Sequence, residues 1–237
     1  MFFDWEELKT RFIIFISGAI LIFTFSYISY ITPSTPIHAN HSNFNSTILS
    51  MEFARTPDDI KKIIGYTENE KHYEYIDRFA NSVQLDYFFI FSYCFYFLTI
   101  FEYTIKLNLS NSAKLTRLLF YTMLIFCIIF DVIENYKLSE VLNSHSESLM
   151  ELNLKNLALV SLFKWLSVFI CCGILGVLLW LFKGSYLLNV AGLFLFTSFM
   201  IGLFGIGKIY LFEIAAIILF PGLLLVWIYS IPAIFKR

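Results

Sequence analysis

The sequence predicts an all-α fold, a polytopic membrane helix bundle with about six transmembrane helices and an amphipathic helical outer loop. Two observations predict it. Of 237 residues, 58% are hydrophobic and only 15% charged, whereas a soluble domain carries nearer 25% charge. Apolar runs of about 20 residues, long enough at 1.5 Å per residue to cross a hydrocarbon core of about 30 Å, recur at 12–31, 84–104, 117–136, 157–182, 186–206 and 209–230. The chain therefore reads as one integral membrane domain, 1–237, with an extracytoplasmic loop at 32–83.

A charged leader, with acids first and Lys9 and Arg11 last, abuts the first run. No small-x-small cleavage site follows that run, which predicts an uncleaved signal anchor. The run stops at Thr32-Pro33-Ser34-Thr35-Pro36, because proline removes a backbone donor and biases its neighbour towards extended structure. The polar loop of about fifty residues is too long for an idle connection and is expected to have structure of its own. Thr56-Pro57-Asp58-Asp59 is a strong helix start, with a hydroxyl cap, proline in the first turn and acids facing the positive end of the dipole. That helix ends at Gly65, and Ile60, Ile63 and Ile64 share one face while Lys61 and Lys62 lie off it. Such a helix rests on the membrane or on the bundle. Thr67 starts a second helix that runs on into the next span.

The last two spans carry little charge beyond Lys208 and Glu213, and the reading pairs these two by snorkelling. Gly202, Gly205, Gly207 and Pro221 predict close helix contact and a bend. Cys94, Cys127, Cys171 and Cys172 all lie in apolar runs, which argues against a secreted disulfide framework. Trp5, Tyr27, Tyr30, Trp180 and Trp227, near span ends, fit an interfacial belt, and Glu102 reads as a surface partner of Lys106.

Basic residues set the orientation. With the N-terminus inside, Lys9, Arg11, Lys106, Lys114, Arg117, Lys183, Lys236 and Arg237 crowd the cytoplasmic span ends, whereas the outer loops dilute their basic residues among acids. The expected location is the inner membrane of a bacterial cell, multi-pass, with both termini cytoplasmic. A net charge of −1 gives no basic surface for nucleic acid.

Charged groups inside the spans are few and coincide in depth. Span three ends outward near Tyr136, which places Asp131 about 7 Å and Glu134 about 3 Å below its end. Lys164 lies about 10 Å down span four, and Asp86 sits near the top of span two with Tyr93 about 13 Å down. Asp131, Glu134 and Asn135 share one helical face by their i, i+3, i+4 spacing. An acid within a span costs about 2.5–3.5 kcal/mol on insertion scales and so faces protein or water and finds a partner. Lys164 is the expected partner. Three acids around one fixed base leave excess negative charge that calls for a proton, a cation or a cationic ligand. The plainer alternative pairs Lys164 with Asp131 alone and leaves Asp86, Glu134 and Asn135 in the wet interfacial layer.

Other chemistry has little support. His38, His41, His72 and His145 lie in loops, and two histidines at i, i+3 without a third ligand do not make a metal site. No metal or other cofactor is expected. Hydrolase, phosphate-loop and zinc-peptidase signatures are absent.

Glu52-Phe53-Ala54 with Thr56-Pro57, Leu85-Asp86 with Phe89 and Tyr93, Asp131-x-x-Glu134-Asn135, and Lys164, in that order, resemble a group of small, uncharacterised bacterial multi-pass membrane proteins. The resemblance covers roughly residues 48–182 and implies that Glu52, Asp86, Tyr93, Asp131, Glu134, Asn135 and Lys164 form one site, with Glu52 hanging over it from the outer loop. It carries no activity with it. Those relatives finish after four spans, so 186–230 is an added layer, for homo-oligomerisation or lateral closure.

Three functions are open. The favoured one is binding or translocation of a small cationic or proton-coupled solute through an outward-facing polar pocket, with Asp131 and Glu134 as binding or protonation groups, Lys164 as counter-ion and Tyr93 as hydroxyl donor. The second is a membrane enzyme acting on a lipid or isoprenoid head group. The third is an accessory subunit of a membrane complex. The lipid bilayer is the partner common to all three.

Overall fold

The computed structural model describes residues 5–33, 44–65, 72–108, 113–144, 146–182 and 184–231. Among them are eight helices: α1 (Trp5–Ile31), α2 (Thr47–Glu52), α3 (Pro57–Ile64), α4 (His72–Asn108), α5 (Ala113–Leu142), α6 (Glu147–Trp180), α7 (Tyr186–Phe204) and α8 (Leu211–Ser230). Six of these, α1 and α4 to α8, are long and apolar enough to cross a membrane.

The six long helices form a ring. Each packs on its neighbour in chain order, α1 on α4, then α5, α6, α7 and α8, and α8 closes the ring on α1. Contact between α4 and α6 crosses the middle, and these two bury most of their apolar stretch while the other four leave most of theirs exposed. Exposed apolar residues such as Phe23, Phe91, Leu118 and Ile217 give the outer surface the character expected where lipid replaces water.

Local sequence explains where the helices begin and end. Thr56 accepts a hydrogen bond from Asp59 N at 3.2 Å while the Asp59 carboxylate accepts from Thr56 N at 3.1 Å, a complete capping box. Gly65 ends α3 at φ 84°, a conformation that costs glycine nothing and other residues much. Ser46, Ser146 and Ser185 cap α2, α6 and α7.

The loop expected over 32–83 is shorter than its polarity suggests. Residues 72–83 are the first turns of α4, α5 continues past Tyr136 to Leu142, and α6 starts at Glu147. The reason lies in α3. Its Ile60, Ile63 and Ile64 pack on Phe79 and Val83 of α4, Leu138 and Val141 of α5, and Leu154 and Leu157 of α6. Helix extensions that look polar in the sequence thus carry an apolar face that meets the cap. On its other side, α3 presents Lys61, 2.7 Å from Glu147.

α2 enters more deeply. Phe44, Leu49 and Phe53 pack with Phe169 of α6 and Phe212 and Ala215 of α8. Glu213 does not snorkel to Lys208, for its carboxylate accepts the backbone N–H groups of Asn45 (3.1 Å) and Ser46 (2.9 Å). A carboxylate at the start of α2 also favours the helix dipole. The opposite end of the bundle has its own clamp, in which Arg11 of α1 donates to Tyr103 of α4 at 3.2 Å and to Tyr229 of α8.

Three further expectations are corrected. Glu102 pairs with Arg117 at 3.5 Å and accepts the Tyr121 hydroxyl, so α4 is joined to α5 and not to its own Lys106. Trp227 is wedged into α1, where its indole donates to Phe15 O at 3.0 Å and its ring covers Gly18. Gly176 and Gly192 bring the backbones of α6 and α7 close, since an added Cβ on either would stand 2.7 Å from backbone of the facing helix. Gly202 and Gly205 do sit under Phe169 and Phe212, but Gly207 has open space around it.

Candidate functional site

Four helices deliver one side chain set. Asp131, Glu134 and Asn135 lie on one face of α5, as their spacing requires. Ser161, Lys164 and Trp165 repeat that spacing on α6, Asp86 and Tyr93 come from α4, and Glu52 from the last residue of α2. All seven residues expected from the sequence meet here. Glu52 is 2% exposed, Asp131 4%, Glu134 1%, Asn135 2% and Lys164 7%, so Glu134 and Asn135 are not in a wet interfacial layer. At 1.5 Å per residue Asp131 lies about 16 Å from the cap end of α5, deeper than the sequence boundaries imply because α5 outlasts them.

Lys164 is the hub. Its Nζ is 2.8 Å from Glu52 Oε1 and 3.5 Å from Asp131 Oδ1, and it pairs with Glu134 Oε2. Asp131, the partner expected for it, is therefore one of three. Each carboxylate also accepts from a neutral donor. Trp165 Nε1 donates to Glu52 Oε2 at 2.7 Å, Ser161 Oγ to Glu134 Oε1, Tyr93 Oη to Asp131 Oδ2 at 2.7 Å, and Asn135 Nδ2 to Asp86 Oδ2 at 2.8 Å. Cys127 Sγ lies 3.1 Å from the Tyr93 hydroxyl. Ser161, Trp165 and Cys127 escaped the sequence reading, although the i, i+3, i+4 repeat around Lys164 points to the first two.

Electrostatics follow from the count. One ammonium faces Glu52, Asp131 and Glu134 directly, with Asp86 beside them. A charge in low dielectric is tolerated only when paired and hydrogen-bonded, and one lysine compensates one carboxylate. The remaining negative charge is balanced by protons or by a bound cation.

A cavity of about 30 Å³ adjoins the cluster, lined by Glu52, Asp86, Glu134, Asn135 and Lys164 together with Ser82 and a collar of Ile28, Ile48, Phe79, Val83 and Leu138. Below Tyr93 the interior is mostly apolar, with Ser17, Thr99 and Thr104 hydrogen-bonded within it. Phe97, Ile100, Leu124, Cys171, Cys172 and Leu175 are buried there, and Phe101 stacks on Phe120 with centroids 4.0 Å apart. The site thus lies between a thin roof, made by the cap, and a thick, mostly apolar floor.

Among the described residues no group of three or more His, Cys, Asp or Glu is arranged to hold a metal ion. The space between Glu52, Asp131 and Glu134 belongs to the Lys164 ammonium. His72 ties α4 to the end of α3 by donating from Nδ1 to Gly65 O at 2.9 Å; His38, His41 and His145 lie outside the described residues. No family model, curated protein or solved structure matches the chain.

Proposed function

We propose that this protein binds a small cation or proton-coupled solute at the Lys164 cluster and carries it across the membrane, the structure corresponding to an occluded state. The observation that carries this reading is the convergence of three carboxylates on one buried lysine, with a fourth, Asp86, beside them. No fold needs such an arrangement for stability, since buried ion pairs are commonly replaced by apolar residues at no loss. Its use is reversible charge: the cluster takes up a positive species when open to one side and yields it when the compensation changes.

The cap is the movable part. α2 supplies Glu52 to the cluster and is held by an apolar patch around Leu49 and Phe53 together with a few polar contacts, whereas the floor is a larger and mostly apolar cluster. Access therefore begins on the cap side. The cap faces outward and both termini lie in the cytoplasm of a bacterial cell, in its inner membrane. Support for this comes from Lys9, Arg11, Lys106, Lys114 and Arg117, which gather at the end opposite the cap.

Proteoliposomes test the reading. With an imposed pH gradient and an internal pH dye, addition of one member of a panel of small cations should dissipate the gradient faster than in empty vesicles. A gradient that decays alike in both for every cation removes the transport function. One feature favours a second reading, a membrane enzyme working on a lipid head group: the floor below the site is mostly apolar. Head-group release from vesicle lipids without ion flux would select it.

A further inference from the structure

We infer that Asp86 is the proton-exchanging group of this site and that the coupled ion is a proton, not an alkali-metal ion; the inference rests on the cation-binding reading above. An alkylammonium group has three N–H donors, and Lys164 meets three carboxylates, Glu52, Glu134 and Asp131. It is hydrogen-bonded to Glu52 and ion-paired with Glu134 and Asp131. Glu52 is fixed further, because its other oxygen faces the Trp165 indole. Neither indole nor ammonium has a lone pair with which to accept a proton, so Glu52 has no partner for an acid O–H among these contacts.

Asp86 differs in each respect. Among the described residues it has no ion pair, and its hydrogen bond comes from the neutral amide of Asn135 at 2.8 Å. An asparagine side chain serves both states of an acid, donating N–H to the carboxylate or, after the amide turns over, accepting O–H at its oxygen. Asp86 also retains some exposure where Glu52, Asp131 and Glu134 do not.

The cavity narrows the ligand. Its 30 Å³ has room for about two water molecules, enough to relay a proton. It is bordered by the Lys164 ammonium, which repels a second cation at close range. The charged or titratable groups facing Asp86 are Glu52 from α2, Asp131 and Glu134 from α5, and Lys164 from α6, while α1 contributes the apolar Ile28. In the exchange an O–H bond forms on an Asp86 carboxyl oxygen as a proton arrives from cap-side water, and the same bond breaks on release.

Infrared difference spectroscopy of the full chain in lipid nanodiscs tests this. Acidification should raise a carbonyl band of a protonated carboxylic acid that shifts in deuterated buffer, is lost in Asp86→Asn, moves in frequency in Asp86→Glu and persists in Asp131→Asn. Sodium chloride added at constant pH should produce no such change. The proposal is overturned if the band stays in place in both Asp86 variants, or if sodium at fixed pH alters the carboxylate bands in the same way. Asp86→Glu keeps the test decisive should Asp86→Asn fail to fold. Cation flux in vesicles without the Asp86 band would reject this assignment alone, whereas the band without flux would reject the transport reading alone.

Discussion

Lys164 Nζ and Glu52 Oε1 lie 2.8 Å apart across 112 residues of sequence, and this contact joins the cap to the middle of the bundle. It turns a loop helix into one wall of the site. It also makes the cap position depend on the charge of the cluster, because Glu52 is held by that charge.

Lys164→Met should be severely destabilising. It leaves Glu52, Asp131 and Glu134 without their common cation, and breaking a buried pair from one side costs about 3–5 kcal/mol. Adding Glu134→Gln should recover part of that loss, since it removes one of the stranded charges. Thermal unfolding of the purified single and double variants in mild detergent checks both. A single variant as stable as the parent would mean that the cluster is not held by charge pairing.

The attachment of α2 can be loosened by single changes on α6 and α8, the ring helices that hold it. Trp165→Phe keeps an aromatic ring and removes the donor to Glu52 Oε2, a hydrogen bond to a charged group worth about 1.5–3 kcal/mol. Glu213→Gln weakens the tether on Asn45 and Ser46 by about 1 kcal/mol. Hydrogen exchange should quicken at the amides of α2 in both variants and stay unchanged in α7. Equal acceleration across the whole chain would show that cap and ring open as one unit.

Helix approach gives a paired test. Gly192→Leu places a side chain where an added Cβ already stands 2.7 Å from Gly176 O and Trp180 N, and overpacking of this kind costs about 1–3 kcal/mol or more. Gly207→Ala meets only Phe204 O at 3.9 Å and should stay within about 0.5 kcal/mol of the parent. Melting temperatures of the two variants in the same detergent compare them directly.

Much of the fold is legible in the sequence, because length and apolarity identify a spanning helix with little help from tertiary context. The cap start at Thr56-Pro57 and its stop at Gly65 are legible for the same reason, since capping is local chemistry. Helix ends are not. Leu138, Val141, Leu154 and Leu157 sit among polar residues, and only the presence of Ile60, Ile63 and Ile64 opposite them explains why the helices continue. Asp86, Asp131, Glu134 and Lys164 are legible because charge in an apolar run is rare, Tyr93 and Asn135 by their helical spacing from those acids, and Glu52, in the outer loop, only through the resemblance. How they divide the work is not: Lys164 chooses Glu52 and Glu134 as well as Asp131, and Asp86 is left to Asn135. Such pairings depend on helix rotation, which the sequence leaves open. Glu213 and Glu102 illustrate the same point, each passing over a basic residue nearby in sequence for partners on another element.

The central claim is that residues from α2, α5 and α6 act as one intramembrane charge site, and flux in proteoliposomes compared across variants tests it most directly. Glu52→Gln and Asp131→Asn are close to isosteric and lie on different elements. For the cation that dissipates the pH gradient with the parent protein, both variants, shown to be folded and inserted, should lose dissipation to the level of empty vesicles. Flux at the parent rate in either variant would contradict the account.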